Sequence, residues 1–405
     1  MPDEEDGAPR GRPVARLTQK APAQQIRRGA PWVYADQLAM DRRTRAIPAG
    51  SIVELQDAAR APLGVAAFNP GSKIAARMLD RDPGATIDAG WFAARLRRAL
   101  ALRETLYEAP WYRLVHAEAD GLPGIVIDRF GDALAVQPNA AWAEAHLGAL
   151  VAALREVTGA RTVVKNAGGR ARALEGLSEE TVLLSGGLDG PVATPMNGAT
   201  YLADLLGGQK TGLFYDQRPN HAFAARLAKG RSVLDVFCHV GGFGLAALVG
   251  GAARALGVDG SAPALALAEG GARASGVADR YEVRKGDAFD AMAALAAEGA
   301  RFGVVVADPP AFAPSRSALE AGLRAYERVA RLAAALVEPD GFLVLCSCSH
   351  AADLGRFREA SLRGVGRAGR AAQILHTGFA GPDHPTHPAL AETAYLKALF
   401  LRLGP

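Results

Sequence analysis

The stretch LVLCSCSH, residues 343–350, sets two cysteines one residue apart at the end of an apolar run, and the whole chain of 405 residues has only three. A thiolate at a strand end is a nucleophile that can split one difficult step into two easier ones. Residues two apart on an extended strand point to the same side, so Cys346 and Cys348 share a face. Cys348 lies further out, where strand gives way to loop and pocket. Cys346 is expected to be deeper and inert. The third, Cys238, follows LDVF and reads as small apolar packing. An ordinary thiol titrates near pH ~8.5, so an attacking cysteine needs a neighbour that favours its anion. His350, two residues beyond Cys348, either tunes it or faces solvent.

Other strand ends carry acids. SVLDVF runs into CHVGGFGLAALVGG, where Gly241, Gly242 and Gly244 let a turn approach a ligand before a helix starts. The spacing is G-G-x-G, which differs from the G-x-G-x-x-G of a dinucleotide site. Asp235, Asp259 in LGVDGS and Asp287 in KGDAF close three successive strands. An acid at the position of Asp259 can accept from both ribose hydroxyls, and Asp287 is placed to accept from an adenine amine. Each aspartate alone reads equally well as a cap or turn residue. Ser261 reads as a helix N-cap with a proline soon after it. The three acids in order, beside a glycine turn, describe a nucleoside pocket without a pyrophosphate cradle. S-adenosylmethionine (SAM) fits: it has an adenosine, an amino acid and a sulfonium but no phosphate. A fourth strand, VVVADPPAF, ends at Asp308, and Pro309–Pro310 blocks helix and stiffens the loop. A rigid carboxylate with backbone carbonyls is what orients a flat heterocycle.

These residues need a scaffold. From about residue 230, short fully apolar strands alternate with helices such as ALEAGLRAYERVARLAAALVE, which predicts a mostly parallel, doubly wound α/β sheet. Ligands of such sheets bind beyond the carboxyl ends of the strands. Upstream, ARLTQ, SIVELQDA, PLGVAAFNP and KIAARML read as short strands of a β-rich module. Helical periodicity follows at 90–108 and again at 141–159, with strands YRLVHAE, GIVIDRFGD, ALAVQPN, TVVKNA and TVLLSGG making a small α+β unit. The expected division is a disordered tail over 1–12, a β-rich domain over 13–88, a central α+β domain over 89–200 and the α/β domain over 201–405.

Composition is ordinary for a globular protein, with 49% apolar residues and a formal charge of +4. The charge is uneven. An arginine-rich stretch (Arg10, Arg12, Arg16, Lys20, Arg27, Arg28, Arg42, Arg43, Arg45) reads either as a solvated face or as phosphate contacts. No apolar run approaches the ~18 residues of a membrane span. No secretory leader and no disulfide framework is evident, so the cytoplasm is the default. His384 and His387 have H-x-x-H spacing, but no third ligand is evident and no metal is expected. Trp91, Trp111 and Trp142 read as core or interface, and Trp32 as either that or an RNA-stacking ring.

In this order and spacing, LDVFCHVGGFG, VDGS, GDAF, DPPAF and CSCSH resemble a class I SAM-dependent methyltransferase. With KTGLFYDQRPN (210–220), DGLPGIVIDRFGD (120–132) and PDHPTHP (382–388), the chain resembles the RlmI-like family of 23S rRNA (cytosine-C5) methyltransferases. The resemblance is strong from about residue 200, good at 112–132, and confined to RRGAPWVYADQL in the N-terminal module. It implies an N-terminal PUA-like RNA-binding domain, a central α+β domain and a Rossmann-like SAM methyltransferase domain. It also implies Cys348, the middle of Ser-Cys-Ser, as nucleophile and Asp308 as its electrostatic partner. Lys210, Phe214, Asp216, Gln217, Arg218 and Asn220 would wall the cofactor and substrate pocket. RNA contacts would fall to Arg27, Arg28, Lys210, Pro309, Pro310 and Phe312. The substrate implied is an unpaired or flipped cytosine of ribosomal RNA. A homodimer is compatible with the sequence.

Two other readings stand beside this one. Methylation of an exocyclic amine (N2 of guanine or N6 of adenine) needs the Asp-Pro-Pro carbonyls but no thiol. An aromatic often follows the prolines in such enzymes, and here Ala311 precedes Phe312. An RNA-binding chaperone with a vestigial cofactor site is the non-enzymatic reading, and the intact acidic strand ends argue against it.

Overall fold

A computed structural model of the chain describes residues 11–208 and 212–404, apart from the Arg170 side chain. Arg10, Lys210 and most of the 1–12 tail therefore lie outside the described residues. Arg12 is described, and its guanidinium donates to the carbonyls of Pro83 at 2.9 Å and Ala85 at 2.7 Å. The described chain forms two compact units. One is drawn from Met1–Thr105, Leu114–Asp128 and Asp132–Gly186, the other from Leu106–Arg113, Arg129–Gly131 and Gly187–Pro405.

In the first unit, β1 (Val14–Arg16), β2 (Trp32–Val33), β3 (Ser51–Gln56), β4 (Pro62–Phe68) and β5 (Ala76–Asp80) form a sheet in the order β1-β3-β4-β5-β2. Short helices α1 (Ala23–Arg27) and α2 (Arg42–Arg45) fill its connections. Leu17, Ile26, Val33, Val53, Leu55 and Phe68 are its buried centre. The helix predicted at 90–108 is α3 (Ala89–Leu106). The predicted strands at 110–185 are β6 (Trp111–His116), β7 (Ile125–Phe130), β8 (Ala133–Pro138), β9 (Thr162–Lys165) and β10 (Val182–Ser185), in the order β10-β9-β8-β7-β6. The single helix expected at 141–159 is two, α4 (Ala141–Ala145) and α5 (Leu147–Thr158), because His146 leaves helical geometry at φ −108°, ψ 18°. A further short helix, α6 (Arg170–Leu174), precedes β10.

The long segment of the second unit, from Gly187 onward, begins with a hairpin, β11 (Val192–Met196) and β12 (Ala199–Ala203). Its turn is Asn197–Gly198 with both φ positive, at 53° and 79°, the backbone that a two-residue hairpin turn favours. After α7 (Arg218–Ala228), strands and helices alternate as the sequence predicted. They are β13 (Ser232–Val236), α8 (Gly242–Val249), β14 (Arg254–Asp259), α9 (Ala262–Ala274), β15 (Tyr281–Lys285), α10 (Ala288–Ala297), β16 (Phe302–Ala307), α11 (Leu319–Ala335), β17 (Val337–Ser347), α12 (Leu354–Arg367), β18 (Ala372–Gly378) and β19 (Lys397–Leu403).

The sheet order is β15-β14-β13-β16-β17-β19-β18. Strands β13 to β17 run parallel, and β19 runs antiparallel to both of its neighbours. Every residue of β16, FGVVVA, is buried, as a strand covered by helices on both faces requires. Helix α11 buries Leu323, Tyr326, Val329, Ala330 and Ala333 along one face, the i, i+3, i+4 spacing of an amphipathic helix. The order reverses between β13 and β16. The crevice at such a reversal is where ligands of these sheets sit.

Candidate active site

A cavity of about 430 Å³ opens at the carboxyl ends of β13, β14, β16 and β17. The strand-to-helix turn after β13 forms its floor. Phe237 and His239 adopt φ of 64° and 49°, a region rare for residues other than glycine and common at functional turns. The turn is pinned from outside: the His239 amide donates to Asp259 Oδ2 at 2.9 Å and the Cys238 amide to the Val258 carbonyl at 3.1 Å. Gly241 follows at φ 84°. At Gly242 a Cβ would lie 2.8 Å from His221 Nε2, so only glycine lets α8 start this close to the buried imidazole. His221 packs against Tyr201 and Phe243, and burial lowers its pKa to about 3, leaving a neutral ring.

Asp235 is buried in the cavity floor. Its Oδ2 accepts from the Gly244 amide at 2.8 Å, while Oδ1 has no hydrogen-bond partner. Burial, with the nearby Asp259 adding to it, pushes its pKa up to about 7, against the relief from the Gly244 amide. Asp259 ends β14 with Oδ1 on the Ser261 amide at 2.8 Å. Both carboxylates line the cavity.

The opposite wall carries Asp308 and Cys348. Asp308 follows β16, and its Oδ2 accepts from Gln217 Nε2 at 2.9 Å. Asn220 Nδ2 donates in turn to Gln217 Oε1 at 2.6 Å. Cys348 directly follows β17 and is half-buried at the cavity edge. Its orientation is set by its two serine neighbours. Ser347 Oγ donates to Tyr326 Oη at 2.9 Å, and Ser349 Oγ lies 2.7 Å from the same hydroxyl. The Ala313 amide, in the loop after the two prolines, donates to Ser349 Oγ at 2.9 Å. Both serines are thus drawn to α11, and Cys348 between them faces the cavity. Cys346 is buried one turn of pleat earlier. Burial first, and the Asp308 charge second, hold its thiol well above the ordinary range. Cys238 is raised the same way by burial.

Residues 213–217 and 395–396 close the side. Phe214, Asp216, Tyr395 and Leu396 line the cavity, and Tyr395 Oη donates to Asp216 Oδ2 at 2.6 Å. Tyr395 had no signal in the sequence. It enters the site because β19 inserts beside β17, a pairing that no local pattern announces. Tyr326 was visible only as one apolar-face residue of a predicted helix.

Of the remaining predicted residues, some line the cavity and others lie elsewhere. Asp287 accepts from the Phe289 and Asp290 amides as the N-cap of α10 and does not line the cavity. It takes the capping role that the sequence had left open, because a short side chain at a helix start is nearer to orphan amides than to the crevice. Gly241 shapes the turn without lining the cavity, whereas Gly242, Pro309 and Pro310 line it. Phe312 turns away into a cluster with Tyr326, Phe237 and Phe289. The Arg218 guanidinium lies 4.3 Å from the Tyr107 ring centroid and donates to the Trp111 carbonyl, so it serves the wall from behind. In the first unit, Arg27 and Arg28 are exposed, and Arg27 pairs with Asp57. The Trp32 indole donates to Glu118 Oε1 at 2.8 Å. His350 is exposed. His384 is buried with Nδ1 2.9 Å from Asp383 Oδ1.

The cavity chemistry selects among ligands. Its described lining holds four carboxylates (Asp216, Asp235, Asp259 and Asp308) and no lysine or arginine. Such a lining repels a polyphosphate and favours a cation. An orphaned buried oxygen on Asp235 and a ribose-type acid at Asp259 complete a fit to SAM, whose ammonium and sulfonium are positive.

Comparison with known proteins agrees. Residues 147–402 match the family model described as S-adenosylmethionine-dependent methyltransferase, and residues 15–81 match that of a PUA-like domain. "Ribosomal RNA large subunit methyltransferase I" of Tolumonas auensis is 35% identical over 95% of this chain and 98% of its own length. The protein of that name from Photobacterium profundum is 36% identical over 92% of this chain and 95% of its own. Among solved structures, one from Streptococcus mutans described as a SAM-dependent methyltransferase superposes with a TM-score of 0.81 at 18% identity, covering 96% of this chain and all of that one. Another described as a methyltransferase, complexed with SAH, matches equally well at 19% identity. With SAM as its cofactor and relatives that run almost its full length, the chain belongs to the S-adenosylmethionine-dependent methyltransferases, within the family of the ribosomal RNA large subunit methyltransferase I proteins.

Proposed function

We propose that this chain methylates C5 of a cytosine in large-subunit ribosomal RNA through a transient bond between Cys348 and the base. Carbon 5 of cytosine is a poor nucleophile. The Cys348 thiolate forms an Sγ–C6 bond, and the C5–C6 π pair moves onto C5, which becomes electron-rich. SAM would supply an electrophilic methyl group at this site, the pair of its S–CH3 bond staying on sulfur in the neutral thioether that leaves. After alkylation a base takes the C5 proton, the C5–H pair re-forms the double bond, and the C6–Sγ pair returns to sulfur. Asp308, whose Oδ2 accepts from Gln217 beside the rigid Pro309–Pro310 turn, carries a proton on its other oxygen in the base complex, donates it to N3 and so offsets the negative charge that builds as sulfur adds. Phe214 and Asp216 wall the pocket.

The base must leave its stack to reach the thiol, so the target is unpaired or flipped. The PUA-like domain, with the exposed Arg27 and Arg28, holds the RNA backbone in a salt-sensitive way. In this reading the chain divides into an RNA-binding domain (13–88), a central domain (89–200) and the methyltransferase domain (201–405), and works in the cytoplasm. Among the described residues no helix is long and apolar enough to cross a membrane.

The observation that carries the proposal is the placement of Cys348 at the edge of the acidic cavity, with both flanking serines tied to α11. Amino-group methylation would leave that thiol without a task, and Phe312 is packed away from the cavity. The test is RNA containing 5-fluorocytosine, which cannot lose its C5 substituent as a proton. We expect a stalled covalent complex that disappears in Cys348→Ala, and bisulfite mapping that finds one ribosomal cytosine modified. Full methylation by Cys348→Ser would overturn the proposal in favour of an amine target.

A further inference from the structure

Lys397 is the first residue of β19 and pairs in register with Ser347. It is only 4% exposed. Its Nζ donates to the Ser349 carbonyl at 2.7 Å and to the Ala352 carbonyl at 2.8 Å. These two oxygens bracket the turn between β17 and α12, which begins at Cys348. A buried ammonium satisfied by neutral carbonyls alone keeps its charge uncompensated, and such a charge is costly unless an anion shares the site.

The groups facing that turn are few. Asp353 caps α12 through its Oδ1 to the Arg356 amide at 2.9 Å. Tyr326 from α11 and Tyr395 ahead of β19 are neutral phenols held above their ordinary pKa by burial. Asp308 and Cys346 lie on the β16 and β17 side, and Cys346 is itself a buried thiol with a raised pKa. Burial lowers the Lys397 pKa to about 8, against the opposing pull of Cys348 and Asp353, so the ammonium persists below that pH.

We propose that Lys397 is a positioning residue for Cys348: its ammonium ties down the turn that carries the thiol and supplies the buried positive charge that favours the thiolate. The inference rests on Cys348 being the nucleophile. Hydrogen bonds from Nζ fix where the sulfur sits, and the same cation makes that sulfur easier to ionise. His350, the neighbour that the sequence offered for this task, is exposed.

The test uses the full chain with iodoacetamide. Peptide mapping resolves Cys348 from Cys346 and gives the alkylation rate of each against pH. Lys397→Gln keeps a donor for the turn and removes the charge, while Lys397→Arg keeps the charge. We expect Lys397→Gln to bind SAM, to shift the Cys348 titration upward by about one pH unit, and to alkylate roughly tenfold more slowly at pH 7. Lys397→Arg should restore the unsubstituted profile. A Lys397→Gln protein that binds SAM and titrates like the unsubstituted one overturns the inference. A purely structural lysine would lower the melting temperature without moving the titration. The two ideas fail separately. A shifted titration with no 5-fluorocytosine adduct in the unsubstituted protein defeats the covalent reading, while an unshifted titration with a normal adduct defeats the role of Lys397.

Discussion

On the β13–β14 side of the cavity, Asp235 and Asp259 are held by backbone amides of the turns that follow these two strands, between 2 and 20 residues away in the chain. On the β16–β17 side, Asp308 and the residues flanking Cys348 are held by side chains from α11, β19 and Gln217, between 21 and 91 residues away. The first half is built from backbone amides of its own strand-to-helix turns and the second from side chains of other elements. The difference fits their tasks. A cofactor of fixed shape can be met by a fixed turn. In the proposed mechanism Cys348 is a nucleophile, which must be aimed, and its ionisation favoured, by groups that converge from several directions.

The strongest challenge to this division comes from the two neighbouring cysteines. Cys348→Ala should cost at least about a thousandfold in methyl transfer, as loss of a covalent nucleophile does, with SAM binding intact in calorimetry. Cys346→Ala should leave the trapped adduct unchanged and lower stability by about 1 kcal/mol, the usual cost of a modest core change. Equal effects of the two substitutions would erase the distinction between tip and interior.

The cofactor half should respond to pH. Asp235 binds its proton more tightly in the folded chain, with a pKa raised from 3.8 to about 7. Its ionisation therefore weakens the cofactor-free fold as pH rises from about 4 towards 7. A bound cation favours the ionised form, so SAM affinity should climb by up to about tenfold per pH unit below 7 and level off above it. Asp235→Asn should give a weaker and flatter profile. An unchanged profile in that variant would move the pH response to another group.

The smallest expected effect is Tyr326→Phe. It removes the hydroxyl that both serines share, costing about 1–2 kcal/mol in thermal unfolding. Cys348 should alkylate less uniformly, while Asp235-linked SAM binding is untouched. Loss of SAM binding in this variant would show that the two halves are not independent.

The same contrast explains what could be read from the sequence. The strands, the glycine turn, Asp235, Asp259, Asp308 and Cys348 were visible because each sits at the end of a short apolar run, where local pattern and fold agree. Asp287 obeyed the same pattern and became a helix cap, because a strand-end acid next to a helix start has two nearby demands on it. Tyr395, Lys397 and the second role of Tyr326 were not visible. Their meaning depends on β19 slipping between β17 and β18, and a register across the sheet leaves no mark on spacing along the chain. Arg218, expected in the pocket wall, stacks on Tyr107 and does not line the cavity.

That late strand also orders events in time. As the polypeptide is synthesised, β17 emerges with one flank bare, and β18 follows without being able to cover it. The bare flank is sealed only when β19 arrives and threads into the gap, bringing Tyr395 and Lys397 with it. In the proposed mechanism an unfinished chain therefore holds its nucleoside turn while its sulfur stands in an unbuilt corner, so reactivity is gained only with the last strand.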